Sequence, residues 1–353
     1  MRYWAAKFYP SQIVRREVRF AKRLVSETRR KLEKIGSTPP KMRASVDSNS
    51  SFPFDIEITR AADRVSLQAK SSRTREHADF FFERTFPLVQ MLQACNSEVK
   101  TLSAQIGDGD SSSGARFAYS SRVPHIIPLP DPFITLSQNF AEAQGISRSM
   151  GGNWHVRSST VRWRGLDNGH GRKDCDPIGI FNPDILPRLR LVMLGRQIKY
   201  TDFALSGAQN NADKPRYVDA NMIKPRIPEL DWVQDKFAID IDGFTNTWSN
   251  MLVRMHLGCC VLKVASQQGY RQWYYDRIKA WEHYVPVKAD MSDLEDKLDW
   301  VRSNDKKAHE IALNGQMFAR SLTPEQNLAD GARIIETYCN NSIPEQTMAN
   351  AGL

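Results

Sequence analysis

The stretch KFAIDIDGFTNTWSNML, Lys236 to Leu252, decides how the chain is read. Phe237 to Ile241 is a short apolar run, the pattern of a strand buried on both faces. Asp242-Gly243 breaks it, and Thr245, Asn246 and Thr247 lead into a helix predicted over Thr247 to Leu257. A strand, a glycine turn, hydroxyls and a helix N-terminus can cradle a phosphate without metal, because backbone N–H groups and the helix dipole take the negative charge. Two other readings fit the same residues. Asp240-Ile241-Asp242 is a D-x-D at a strand end, with both carboxylates on one side and able to hold a divalent metal against a diphosphate. Thr247 is also a good N-cap for an ordinary helix.

Outward from this stretch the pattern alternates. Strands are predicted at Thr160 to Trp163, Tyr200 to Ala204, Phe237 to Ile241 and Cys259 to Val264. Helices are predicted at Pro187 to Arg196, Thr247 to Leu257, Gln272 to Ala280, Asp293 to Asn304 and Lys306 to Arg320. Such alternation favours a parallel α/β sheet. Nearer the N-terminus, Gly36 to Pro53 reads as a Ser- and Pro-rich linker and Phe54 to Arg60 as an alternating strand. Thr74 to Ala94 reads as a helix carrying Phe80, Phe81 and Phe82, and a short strand is expected near His125 to Leu129.

At 353 residues the chain is long enough for two domains. Its 41% hydrophobic and 25% charged residues exclude a disordered or fibrous protein. The most apolar segment, Met251 to Ala265, is broken by Arg254, His256 and Lys263, which argues against a spanning helix. The first residues hold Arg2 and Lys7 but no apolar core, so no secretory signal is expected. Five cysteines, two of them adjacent at Cys259-Cys260, lack paired-motif spacing. They fit a reduced, cytosolic setting rather than a disulfide framework or a zinc site.

Charge is distributed unevenly. Residues 1–43 carry +10 of the +9 total, leaving the other 310 residues at −1. Val14, Val18, Ala21, Val25, Leu32 and Ile35 recur at helical spacing among Arg15, Arg16, Arg19, Lys22, Arg23, Arg29, Arg30 and Lys31. A basic amphipathic helix can lie on an anionic membrane, bind nucleic acid, or simply present a solvated face. Nucleic acid is disfavoured, since no aromatic platforms interleave the cations and no recognition module follows. Residues 11–35 are therefore expected to hold the protein on the anionic inner face of a membrane, as a peripheral cytoplasmic protein.

Hydrolase and nucleotide-loop signatures are absent: there is no G-x-S-x-G, H-E-x-x-H, Walker loop or G-x-G-x-x-G. The seven histidines are scattered without ligand spacing. Asp108-Gly109-Asp110 lacks the twelfth-position glutamate of a calcium loop and reads as a turn.

A wider pattern runs through Lys236 to Arg320: after KFAIDIDGFTNTWSNML come GCCVLKV (Gly258 to Val264), WYYDRIKAWEHYVPVKADMSDLEDKLDWV (Trp273 to Val301) and NDKKAHEIALNGQMFA (Asn304 to Ala319). This run resembles the family 90 glycosyltransferases, a group with bacterial lipopolysaccharide- and capsule-modifying, fungal capsule xylosyltransferase and eukaryotic protein O-glucosyltransferase members. Trp281, His283, Tyr284, Pro286 and Val287 match its W-x-H-Y-x-P-V segment, while Ala280 stands where proline is usual. Val161-Arg162-Trp163-Arg164-Gly165 is similar to the family's aromatic-R-G strand and turn, and Pro187 to Gly195 to the helix after it. Pro130-Asp131-Pro132 with Thr135-Leu136-Ser137 resembles the segment that carries the catalytic aspartate.

The resemblance implies a GT-B-like α/β fold, two Rossmann-like domains facing across a cleft. The expected parts are a basic arm (1–43), an acceptor-side domain (44–155), a nucleotide-sugar domain (156–323) and a C-terminal helix segment (324–353) crossing back to the first domain. The implied reaction is an inverting transfer of xylose or glucose from a UDP-sugar to a glycan such as lipopolysaccharide or capsular saccharide, with neither metal nor cofactor. Such a reaction needs a carboxylate to deprotonate the acceptor, and positive charge or N–H dipoles on the departing diphosphate. Asp131 is the implied base. Arg188 is the diphosphate clamp, and Arg164, Gly165, Asp242, Gly243, Thr245, Asn246, Thr247 and Trp248 hold the donor. On residues alone, Asp131 reads equally as a turn aspartate, Arg188 as a solvated arginine and Trp248 as a core aromatic. His283 reads as structural. Protein-modifying members carry an arginine near the position of Ser249, for which Arg254 or Lys263 could substitute. The alternatives are an inactive binding protein of the same fold and a metal-dependent transferase using Asp240 and Asp242.

Overall fold

A computed structural model describes residues 5–71, 76–109, 113–150 and 153–340. Thr74, Asp110, Gly151, Gly152 and residues 341–353, all part of the expectations above, lie outside them, as does the side chain of Val14. The chain divides into two compact units: one holds the chain up to Gln138 together with the segment from Pro324, the other runs from Asn139 to Thr323.

The first unit opens with helix α1 (Ala5–Lys34) and strands β1 (Met42–Asp47), β2 (Asp55–Arg60) and β3 (Val65–Lys70). Helices α2 (Ala78–Arg84) and α3 (Phe86–Ala94) follow, then β4 (Thr101–Gln105), β5 (Phe117–Ala118), β6 (Ile127–Pro128) and α4 (Pro132–Leu136). The strands form one sheet, ordered β1-β3-β2-β4-β5-β6, in which only β2 runs antiparallel to its neighbours. Alternation decides its faces. Val65, Leu67 and Ala69 are buried, whereas Ser66, Gln68 and Lys70 on the other face are half-buried and polar.

Helix α1 is part of this unit and not a separate arm. Its buried stripe is Phe20, Ala21, Leu24, Thr28, Lys31 and Leu32, and the Phe20 ring meets Phe81 edge-on at 5.6 Å. Val18 of the expected stripe stays 48% exposed, because the packed face is rotated by part of a turn from the one the apolar pattern marked. Among the described residues no helix is long and apolar enough to cross a membrane. The segment expected as a linker contains β1, an edge strand hidden by its Ser and Pro neighbours, and the expected helix over 74–94 is two helices broken at Thr85, ahead of Pro87. The helix Pro324–Asn340 packs on α3, where the Asn96 amide donates to Glu336 (2.6 Å).

The second unit contains α5 (Ala141–Met150), β7 (Val161–Gly165), α6 (Pro187–Gly195), β8 (Thr201–Leu205), α7 (Lys214–Asp219), β9 (Phe237–Asp240), α8 (Asn250–His256), β10 (Cys260–Val264), β11 (Val285–Val287), α9 (Leu294–Ser303) and α10 (Asp305–Ser321). Its five strands are all parallel, in the order β11-β10-β9-β7-β8. Every residue of β9 and β10 is buried, as strands covered on both faces must be. Mixed α/β architecture with parallel sheets thus holds for both units, although the first sheet has one antiparallel member. The helix expected over Gln272 to Ala280 is a series of turns instead.

The division falls at Gln138, ahead of the expected 155, because α5 is tied to the second unit. Gln316 donates to Ser147 (2.9 Å), and Asn139 Nδ2 donates to the Ala319 carbonyl (3.0 Å). Gln138, Asn139 and Phe140 lie consecutively in the left-handed region, at φ 49°, 53° and 55°. The five cysteines are free: Cys95 lies at the end of α3, Cys259 and Cys260 at the start of β10, Cys175 in a loop, and Cys339 is exposed on the last helix.

Candidate active site

In the second unit, β7 has β8 on one side and β9 on the other, so the strand order reverses direction at β7. Ligands of open parallel sheets bind outside the carboxyl ends of strands at such a reversal. The loops leaving β7 and β9 meet there. A Cβ on Gly243 would fall 2.8 Å from Asn168 Nδ2 and 3.1 Å from Arg188 Nη2, so any larger residue must push these side-chain ends aside. The turn is closed by the Gly243 amide donating to the Thr245 carbonyl (2.9 Å).

The carboxylates of the D-x-D differ. Asp240 is fully buried and accepts from Thr247 Oγ1 (2.5 Å), Asn250 Nδ2 (2.9 Å) and Lys263 Nζ (3.0 Å). Burial pushes its pKa up, but the Lys263 charge and these hydrogen bonds outweigh it and hold the group below the ordinary range. Lys263 lies directly across from Asp240 in the β9–β10 register and also donates to the Tyr275 hydroxyl (2.9 Å). Burial works against its charge, yet Tyr275, Asp240 and Asp242 keep it well above the usual value. Asp242 accepts from Asn246 at 3.4 Å, and burial raises its pKa despite Lys263. An ammonium therefore sits on the Asp240 oxygen that a divalent ion would need. Among the described residues no group of three or more His, Cys, Asp or Glu gathers in metal-binding geometry. The donor set does not fit a metal.

The other expected donor residues separate. Gly243, Thr245, Asn246 and Thr247 form the turn, with Asp242 at its root. Trp248 is 7% exposed and donates its indole N–H to Thr245 Oγ1 (3.2 Å), so the ring is turned inward and offers no stacking face. Arg188 sits behind the turn. Its guanidinium donates to the carbonyls of Asp242 (2.9 Å), Ile241 (3.1 Å) and Leu166 (3.1 Å) and to the Asn168 side chain, which joins the β7 and β9 loops. Burial lowers its pKa to about 10, where it remains a cation at neutral pH. It contributes a positive field under the turn rather than a free clamp. Arg164 turns away: it donates to the carbonyls of Asp202 (2.6 Å) and Pro225 (3.2 Å) and pairs with the Asp202 carboxylate (2.7 Å). Gly165 is needed for a different reason, the Trp163 ring lying 2.6 Å from where its Cβ would be.

Neither substitute for the arginine near Ser249 is free. Arg254 is buried with its guanidinium 4.3 Å from the Trp232 ring, and Lys263 is held by Asp240. His283 Nδ1 accepts the Lys279 amide (3.0 Å) and its ring packs on Phe318 (5.4 Å), a structural arrangement. Asn168, Asn250 and Tyr275 were not singled out from sequence. Only the strand register across from Asp240 could have signalled such a cluster.

In the first unit, Asp131 follows β6 at the carboxyl end of that sheet. It is the N-cap of α4, with Oδ1 accepting from Phe133 N (2.9 Å) and Ile134 N (3.2 Å) and Pro132 at the first helical position. Its Oδ2 has no hydrogen-bond partner among the described residues, and the side chain is 0% exposed. Burial pushes the carboxyl up to about 6, against the two amides and the charge of Arg84, which pull it down. Arg84, also unforeseen, donates to the Ile106 carbonyl and to Asp108, both at 2.9 Å.

A parallel sheet with a glycine turn at its reversal belongs to the open α/β class, whose ligands bind at that point. The sequence matches the profile of Glycosyl transferase family 90 over residues 147–339, more than half its length, and the chain belongs to that family. Uncharacterized protein 035R of Invertebrate iridescent virus 3 is 34% identical over 97 residues, 28% of this chain and 9% of that protein. Protein O-glucosyltransferase 1 of Rattus norvegicus is 45% identical over 169 residues, 47% of this chain and 37% of that protein. The chain thus spans well under half the length of these curated relatives. Anabaena HepE, solved in complex with UDP-glucose, aligns over 57% of this chain and 53% of its own, at 10% identity and a TM-score of 0.34.

Proposed function

We propose that the chain transfers a sugar from a UDP-sugar to an acceptor hydroxyl, with inversion and without metal. The observation that carries this reading is the family match running through the Gly243 turn. The diphosphate would lie on the main-chain donors of the turn between Gly243 and Ser249, with the buried Arg188 cation beneath. Asp131 would take the proton of the attacking hydroxyl, a role suited to a carboxyl whose pKa of about 6 lies near neutrality. Glucose is favoured over xylose by the named glucosyltransferase relatives, and their protein acceptors put a protein hydroxyl beside the lipopolysaccharide or capsular glycan that the sequence suggested. The Lys263–Asp240 pair is the reason for proposing a metal-independent reaction.

Calorimetric titration of UDP, with manganese and then with EDTA, tests the reading together with hydrolysis of UDP-glucose and UDP-xylose. Equal UDP affinity in both conditions and EDTA-resistant turnover are expected. Binding lost with EDTA would restore the D-x-D metal site, and tight UDP binding without turnover of any donor would leave a binding protein.

A further inference from the structure

The basic helix has a use that the transfer reaction does not absorb. β1 is the first strand of its sheet and among the described residues pairs only with β3, so alternate residues turn their N–H and C=O groups outward. Helix α1 packs against β1. Between the two lies a groove of about 560 Å³, lined by Val18, Ala21, Lys22 and Val25 of the helix and by Met42 to Val46 of the strand. Its helix wall sets Val18, Ala21 and Val25 beside Glu17 and Lys22, and Val18 stands 48% exposed over it. Its lining carries two exposed cations, Lys22 on α1 and Arg43 on β1, and Arg15 and Arg19 stand exposed on α1 within two turns ahead of Lys22. From Arg15 to Arg23 the helix carries five cations against the single acid Glu17, whose Oε1 is buried in the groove wall without a partner.

An open strand edge facing a helix is the geometry in which an extended peptide adds as a further strand. We infer that this groove binds an extended polypeptide segment of acidic and apolar residues in alternation. The added strand would bond to the outward groups of β1. One set of its side chains would face Val18, Ala21 and Val25, and the other set these cations. The six residues of β1 limit the segment to about six residues, at roughly 3.3 Å each. A lipid surface is the weaker occupant, because the packed face of α1 withholds Phe20, Leu24 and Leu32 from insertion.

Fluorescence anisotropy of the full chain with a labelled decapeptide of alternating Glu and Val tests this. The control is the same peptide N-methylated at every second amide. Binding should weaken with salt, since exposed charges are screened within about 10 Å at 0.1 M. N-methylation, and separately the paired change Arg19→Glu and Lys22→Glu, should each raise Kd at least about tenfold. The substituted side chains are exposed, so circular dichroism should be unchanged. Hydrogen exchange should slow at β1 amides when the peptide is bound. Equal binding of the N-methylated peptide would overturn strand addition and leave only charge attraction. Failure to bind the peptide, with sedimentation on phosphatidylserine vesicles that the charge reversal abolishes, would give the face to a lipid surface.

Discussion

Asp131 and Asp240 are both fully buried carboxylates near the carboxyl ends of sheet strands, one in each unit, and their surroundings push them in opposite directions. Asp240 has an ammonium, a hydroxyl and an amide on its oxygens and is held below the ordinary range. Asp131 has two backbone amides on one oxygen, no partner on the other, and a pKa of about 6. A buried charge that is fully partnered is part of the scaffold, whereas one left half-partnered is poised to accept a proton. The carboxyl proposed as the base is the one in the sequence segment with less to mark it.

The largest effect that could break this contrast is Asp131→Asn. It should lower turnover by about 10²–10⁴ while leaving UDP affinity unchanged, as titration and initial rates would show. In the native protein, activity should fall on the acid side as pH drops through about 6. The raised pKa also has a stability sign: the favourable contribution of protonated Asp131 is complete below the unfolded value and lost as pH rises through about 6. A rate that stays flat from pH 5 to 8 would remove Asp131 from the reaction. Next comes Lys263→Met, which strands the Asp240 charge and should destabilise the second unit by about 3–5 kcal/mol in urea unfolding. Adding Asp240→Asn should recover most of that loss. If the double variant is no more stable than the single, the pair is not the scaffold described here. The smallest effect is expected from Gly243→Ala. The added methyl presses on Asn168 and Arg188, and it should weaken UDP binding about tenfold with a stability cost of about 1–3 kcal/mol.

Much of the second unit was legible because its central strands β9 and β10 are buried on both faces and largely apolar, and β7 and β8 keep apolar residues on their buried positions. β7, β8, β9 and β10 lie within two residues of their expected bounds at each end. The first unit was harder to read. β1 and β3 have one half-exposed face, their composition resembles that of loops, and pairing partners distant in sequence determine them. The turn from Asp242 to Thr247 could be found from its residue types. The directions of Arg164, Arg188 and Trp248 could not, since an arginine that clasps main-chain carbonyls has the same letter as one that binds a phosphate. Lys263 beside Asp240, a consequence of strand register, was likewise invisible, and so was the face on which helix α1 packs.

The distribution of thiols gives each unit its own unfolding reporter. Burial raises Cys95 to about 12 in the first unit and Cys259 to about 12 in the second, so neither forms appreciable thiolate while its unit is intact. An alkylating reagent at neutral pH meets Cys339 at the surface, and it reaches Cys95 or the Cys259-Cys260 pair only after the surrounding core has opened. Pulses of reagent across a denaturant series, followed by peptide mass mapping, therefore time the loss of the two cores separately in a single unmodified chain.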